Sequence, residues 1–176
     1  MNLVGKCLIA RPHIADSLFK RSVVFIYEQN MQGVAGLIVN KRKSGISAND
    51  IILNRGFAPG GPDELVYAGG PVNENSVILL HTSEWSSSNT LNVTKELSVS
   101  SDDLMFFKLT NDNKPNGYKF CCGVAVWHPQ QIVAEIRANQ WLISRLSTHQ
   151  ILDVDSRQLW DEAVETNAKQ TIDKFL

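Results

Sequence analysis

The sequence holds little with which to staple a fold or bind a metal. Cysteine occurs three times in 176 residues. Cys121 and Cys122 are neighbours, and side chains adjacent on a strand point to opposite faces, so they do not readily bridge each other. A disulfide framework is therefore not expected, and a reducing compartment is. Cys7, Cys121, Cys122, His13, His81, His128 and His149 lack the paired spacing of zinc ligands, so no metal and no cofactor are expected. No apolar run approaches the roughly 20 residues that cross a bilayer. Near the start, Lys6 interrupts the apolar stretch and Arg11-Pro12 ends it, which argues against an export signal. The expected location is the cytoplasm, with no membrane partner.

A dominant charge is also missing. Seventeen basic side chains face eighteen acidic ones, a formal net charge of -1, so no overall field draws the chain toward nucleic acid. The tight basic run Lys41-Arg42-Lys43 reads as a solvated turn at a strand exit. With no helix-turn-helix carrying a basic second helix, direct DNA binding is not expected. The familiar catalytic signatures are absent too: no G-x-S-x-G elbow, no G-x-x-x-x-G-K-[ST] loop and no G-x-G-x-x-G. No catalytic residue is assigned, although a dispersed triad assembles in space and leaves no local motif.

What is present is an ordinary globular composition, 43% hydrophobic and 20% charged, that reads as one domain over residues 1–176. A chain of this length buries roughly 70% of its unfolded surface. Ser22 to Tyr27 and Val34 to Val39 are β-branched, apolar and separated by a turn-rich segment, which predicts an antiparallel pair covered on both faces. Leu8-Ile9-Ala10 is their neighbour. Glycine-proline turns at residues 59–62 and at Gly69-Gly70-Pro71 bracket further strands at Leu65 to Ala68 and Ser76 to His81. The polar stretch from Thr82 to Ser101 reads as a mobile surface loop. Helices are predicted after Ser47, after Asp102-Asp103, from Pro129 and after Asp155, and strands over Tyr118 to Trp127 and Trp141 to Ile143.

Candidate binding residues gather at element ends. Asp16, Arg21 and Glu28 flank the first strong strand, and an ion pair such as Asp16 with Arg21 is the expected arrangement. Asn40 finishes a turn or donates to a ligand. Gly69, Gly70 and Pro71 form a turn that could offer backbone N–H groups to an anion. His81 ends a strand and His128 sits where a strand meets a helix; each either caps its element or faces a ligand. Trp127, Trp141 and Trp160 fall in apolar patterns and are assigned to the core.

With those residues in view, the chain resembles the YqgE/AlgH family of bacterial proteins over nearly its whole length. The carriers are Leu8-Ile9-Ala10-Arg11-Pro12 with Asp16 and Phe19, then Arg21-Ser22-Val23-Val24 and Gly36-Leu37-Ile38-Val39-Asn40. Gly69-Gly70-Pro71-Val72, Leu80-His81, Trp127, Pro129, Gln131, Glu135-Ile136 and Trp141 follow in order. The resemblance implies an α+β fold, with a bifurcated, mostly antiparallel sheet closing partly into a small barrel surrounded by helices. Where the family reads P-G-Q-L-E this chain has Pro129-Gln130-Gln131-Ile132-Val133, losing a glycine at Gln130 and an acid at Val133. Family members have been labelled transcriptional regulators, yet the resemblance brings neither catalytic residues nor a DNA-reading helix.

The expectation is a non-enzymatic regulatory protein that binds a small molecule or a protein partner. Its groove is expected to hold Asp16, Arg21, Ser22, Asn40, Gly69, Gly70, Pro71 and His81, with His128 a further candidate. The alternative is a hydrolase of a phosphorylated or nucleotide-like compound, with His81 or His128 and Asp16 as acid-base groups.

Overall fold

The computed structural model describes residues 1–60 and 63–176. Four segments build one side of a sheet, three early ones, β1 (Cys7–Ala10), β2 (Val23–Asn30) and β3 (Gly33–Ile38), and, from much later in the chain, β9 (Trp141–Ser144). The predicted β2–β3 pair is antiparallel, with Val24 opposite Ile38 and Phe25 opposite Leu37. β1 pairs β2 on one edge and β9 on the other. The other side is β4 (Val66–Ala68), β5 (Val72–Thr82), β6 (Leu91–Asn92) and β7 (Leu97–Ser100).

The long strand β8 (Tyr118–Trp127) joins the two sides, and the sheet forks along it. Its first half lies between antiparallel β5 and parallel β4, while its second half pairs antiparallel with β3. The order is therefore β6-β7-β5-β8-β3-β2-β1-β9 with β4 off the path. This is the bifurcated, curled, mostly antiparallel α+β architecture that the resemblance implied.

Strand alternation between two covered faces explains why β1, β3 and the first half of β2, Val23 to Ile26, are apolar. Cys7, Ile9, Val23, Phe25, Leu37 and Val39 share one core with Leu159 and Ala163 of helix α5 (Ser156–Asp173) and Ile151 of α4 (Thr148–Leu152). Leu8, Ala10, Val24, Ile26 and Ile38 belong to the opposite core, with Trp127, Trp141 and Ile132 of α3 (Pro129–Arg137). Both faces are thus covered, and a polar residue on either would be buried. A third core lies under α1 (Ala48–Asn54) and α2 (Asp103–Thr110), around Val66, Leu79 and Phe120. The caps follow the sequence: Ser47 and Asp50 form a capping box for α1, and Asp102 accepts from the Met105 N–H to start α2.

One expectation is corrected. The polar stretch from Thr82 to Ser101 is no mobile surface loop; it contributes β6 and β7, and all four residues of β7 are buried. Its serines can be buried because they are satisfied. Ser98 Oγ donates to Asn92 Oδ1 at 2.8 Å, and Ser100 Oγ lies 2.8 Å from His81 Nε2 and 2.7 Å from Thr90 Oγ1. The turn expected at 59–62 includes Gly61 and Pro62, which lie outside the described residues.

A basic pocket beside the start of helix α5

The end of β3 and the entry to β2 meet at Asn40. Its Oδ1 accepts from the Val23 N–H at 2.9 Å and its Nδ2 donates to the Arg21 carbonyl at 2.8 Å. Only 8% of Asn40 is exposed, so both bonds are shielded from competing water. They hold Arg21 in the left-handed backbone region, φ 57°, a conformation that costs a non-glycine residue about 1–2 kcal/mol. Lys41 adds a second tie, its ammonium donating to the Lys20 carbonyl.

Helix α5 supplies the opposite wall. Trp160 is anchored to β1, its indole N–H donating to the Ala10 carbonyl at 2.7 Å. The Arg21 guanidinium stacks 4.3 Å from the Trp160 ring and reaches Asp161 Oδ2 at 3.0 Å. Asp155 caps the helix by accepting from the Arg157 N–H and pairs with the Arg157 side chain at 3.2 Å. That pairing holds the Asp155 carboxyl below its usual range.

Between these walls lies a cavity of about 630 Å³. Five of its lining residues are cationic, Lys20, Arg21, Lys41, Arg42 and Arg157, and none is acidic. Ser17, Asn40, Ser156 and Trp160 complete it. Burial pulls the Lys41 ammonium below its ordinary value, and the neighbouring Arg21 charge adds to the effect. Close by, Lys119 is 3% exposed; its Nζ donates to the carbonyl of Val39, the residue before Asn40, at 2.7 Å and sits 4.6 Å from the Tyr67 ring. Burial brings its pKa down to about 8.

Three buried side-chain polar atoms lack a hydrogen-bond partner among the described residues: Arg11 Nε, Ser22 Oγ and Ser156 Oγ. One of the three lines the cavity, and the other two neighbour residues of its walls in sequence. Arg11 follows Ala10, the acceptor for Trp160; Ser22 follows Arg21, and its carbonyl accepts from the Ala10 N–H; Ser156 lines the cavity itself. Buried polar groups are almost always paired in folded proteins, so the unpaired Ser156 Oγ on the cavity wall stands out.

The other candidates lie elsewhere. Asp16 is exposed and folds back on its own loop, Oδ1 accepting from the Leu18 N–H at 2.9 Å; the expected Asp16–Arg21 pair is replaced by Arg21–Asp161, 140 residues apart. His81 is fully buried, bonded to the Thr82 carbonyl and Ser100 and edge-on to Trp85 at 4.9 Å. Burial lowers its pKa. His128 is exposed at the start of α3 and makes no side-chain cap. His81 pairs opposite Tyr118 and His128 follows Trp127. The two imidazoles thus belong to opposite ends of β8.

Gly69 and Gly70 serve close packing. A Cβ on Gly70 would lie 2.1 Å from the Val124 carbonyl carbon, and one on Gly69 would lie 2.3 Å from the Gly123 oxygen. The Gly69 N–H already donates to the Cys122 carbonyl, so it is not free to hold an anion, and Pro71 beside it is exposed. Sequence reading missed Lys20, Ser156, Arg157 and Asp161. The run Lys41-Arg42-Lys43, expected to be a solvated turn, instead places Lys41 and Arg42 on the cavity wall. Among the described residues no group of three His, Cys, Asp or Glu side chains is arranged to hold a metal. No described helix is long and apolar enough to cross a membrane.

Fold and pocket together define a forked half-barrel protein with a cationic surface site. A model of AlgH-like sequences matches residues 7–171. The chain belongs to the AlgH-like family. It is 31% identical over 170 residues to a UPF0301 protein of Actinobacillus pleuropneumoniae, covering 93% of this chain and 91% of that one. It is 33% identical over 168 residues to one from Mannheimia succiniciproducens, with 93% and 90% covered. The solution structure of the AlgH protein from Pseudomonas aeruginosa superposes with a TM-score of 0.79 at 29% identity, covering 93% of this chain and 88% of that one. A crystal structure from Corynebacterium diphtheriae shares the fold at a TM-score of 0.74 and 20% identity, with 93% and 86% covered.

Proposed function

We propose that the chain is a non-enzymatic binding protein that takes an anionic ligand in the pocket between Asn40 and helix α5. The observation that carries this reading is the lining: five cations, no acid, and an unpaired buried hydroxyl at Ser156. A catalytic reading finds less support, since the two histidines that could move protons lie at opposite ends of β8. A regulatory role takes the form of ligand-dependent partner contact, in keeping with the near-neutral net charge. The cytoplasm is the compartment this reading assigns, supported by three free, buried thiols.

Thermal melting in inorganic pyrophosphate, against sodium chloride of equal ionic strength, tests the reading. A ligand that binds only the native state stabilises it by about 2.7 kcal/mol at a hundred times its Kd. The melting temperature of the unmodified chain should rise, and that of Lys41→Ala/Arg42→Ala should not. Equal responses of both proteins would sink the proposal.

A further inference from the structure

The charge balance of the pocket narrows the chemistry of its ligand. Of the five cations, Arg21 is paired with Asp161 and Arg157 with Asp155. The ion pairs found among the described residues leave Lys20, Lys41 and Arg42 without a carboxylate. A monocarboxylate would neutralise one of the three. A phosphoryl group brings a charge of about -1.5 to -2 and three strong acceptor oxygens, and a diphosphate brings more.

Donor geometry points the same way. Arginine forks match phosphate oxygens in a bidentate manner, and lysine acts as a point charge beside them. The lining offers both, together with the Ser156 hydroxyl, whose oxygen is buried and unpaired. At about 630 Å³ the cavity is within the range of small-molecule sites, about 300–1,000 Å³, and is roomier than a bare phosphate ion requires. Resting on the reading of this pocket as an anion site, we infer that its ligand is a phosphorylated small molecule, a phosphate monoester or diphosphate carried on an organic body. Arg42, Lys41 and Ser156 hold the phosphoryl oxygens. Arg21 is the adjustable member, because its partner Asp161 is exposed (64% of the side chain) and such pairs are weak, about 0–1 kcal/mol.

Isothermal titration at one fixed ionic strength tests this, with glycerol 3-phosphate, pyrophosphate, glycerate and citrate as probes. The two phosphorylated probes should bind at least tenfold more tightly than citrate, which matches or exceeds their charge with carboxylates alone. Arg42→Gln should weaken both at least tenfold, and Ser156→Ala should weaken them severalfold while leaving citrate unchanged; far-ultraviolet circular dichroism and melting confirm that each variant folds. Citrate binding as tightly as pyrophosphate, with Arg42→Gln weakening both alike, would overturn phosphoryl selectivity while leaving the anion site standing. No binding of any probe would overturn both readings. A single-stranded oligonucleotide that binds this site and excludes the small phosphates would overturn the small-molecule assignment.

Discussion

Replacing Glu135 with alanine removes one carboxylate from beneath two tryptophans. Glu135 Oε2 accepts from the Trp127 indole N–H at 3.0 Å and from that of Trp141 at 2.7 Å. The two rings are 2% and 3% exposed, meet edge-to-face at 5.8 Å and share Phe19 at 5.6 Å from each. Alanine leaves two indole donors with no acceptor in a packed core, and each orphaned buried donor costs about 1–3 kcal/mol. Alanine's better helix propensity returns only a few tenths of a kcal/mol, about 0.2–0.4. The expected loss is therefore about 2–6 kcal/mol, or roughly 5–20 °C in melting temperature for a chain of this size. Glu135→Gln keeps a neutral acceptor in place and should cost about 1–2 kcal/mol, since it loses only the assistance of charge. Urea denaturation followed by far-ultraviolet circular dichroism, with an unchanged m-value, measures both. A loss under about 1 kcal/mol for alanine, or a glutamine variant as unstable as the alanine one, would refute the reasoning.

Two further perturbations follow from packing and burial. Gly70→Ala forces a methyl group into the Val124 backbone, which cannot swing aside as a side chain can; equilibrium unfolding should show a loss of about 1–3 kcal/mol or more. Alkaline pH should lower stability: burial pushes the Cys7 and Cys121 thiols up to about 12, so above about pH 8.5 the unfolded chain sheds protons that the native state keeps. Each thiol then contributes a fall of at most about 1.4 kcal/mol per pH unit. Lys119, brought down to about 8, acts oppositely between about pH 8 and 10.4, because there the native state is the one that has shed its proton. Two thiols outweigh one amine, so urea midpoints should fall from pH 8.5 to 10.5, more steeply in Lys119→Met and less steeply in Cys7→Ala. A rise over that window would contradict the burial of the thiols.

The strands of the central sheet were legible because their chemistry is local. Val23 to Ile26 and Val34 to Val39 carry near-continuous apolarity, and two cores do cover them. β7 was not legible, because Leu97-Ser98-Val99-Ser100 has the composition of a loop and becomes a buried strand only through partners at His81, Ser83, Asn92 and Thr90. At the site, Arg21, Ser22 and Asn40 stood out at strand ends. Their partner Asp161 lies 140 residues from Arg21 on a helix that shows only an amphipathic pattern in sequence. The basic pocket is likewise assembled from three separate segments, in a chain whose net charge of -1 conceals it. Charge totals average over the surface, whereas a ligand meets only the local field.

Amide and indole NMR signals followed during titration with inorganic pyrophosphate test the central claim most directly. Saturable shifts should centre on Arg21, Asn40, Lys41, Ser156 and the Trp160 indole N–H, and should vanish in Lys41→Ala/Arg42→Ala. The chain offers a built-in control, a second cavity of about 590 Å³ bordered by Lys6, Arg145 and Lys174 and by one acid, Asp173. Shifts centred there, or no saturable shift at Trp160, would contradict the account.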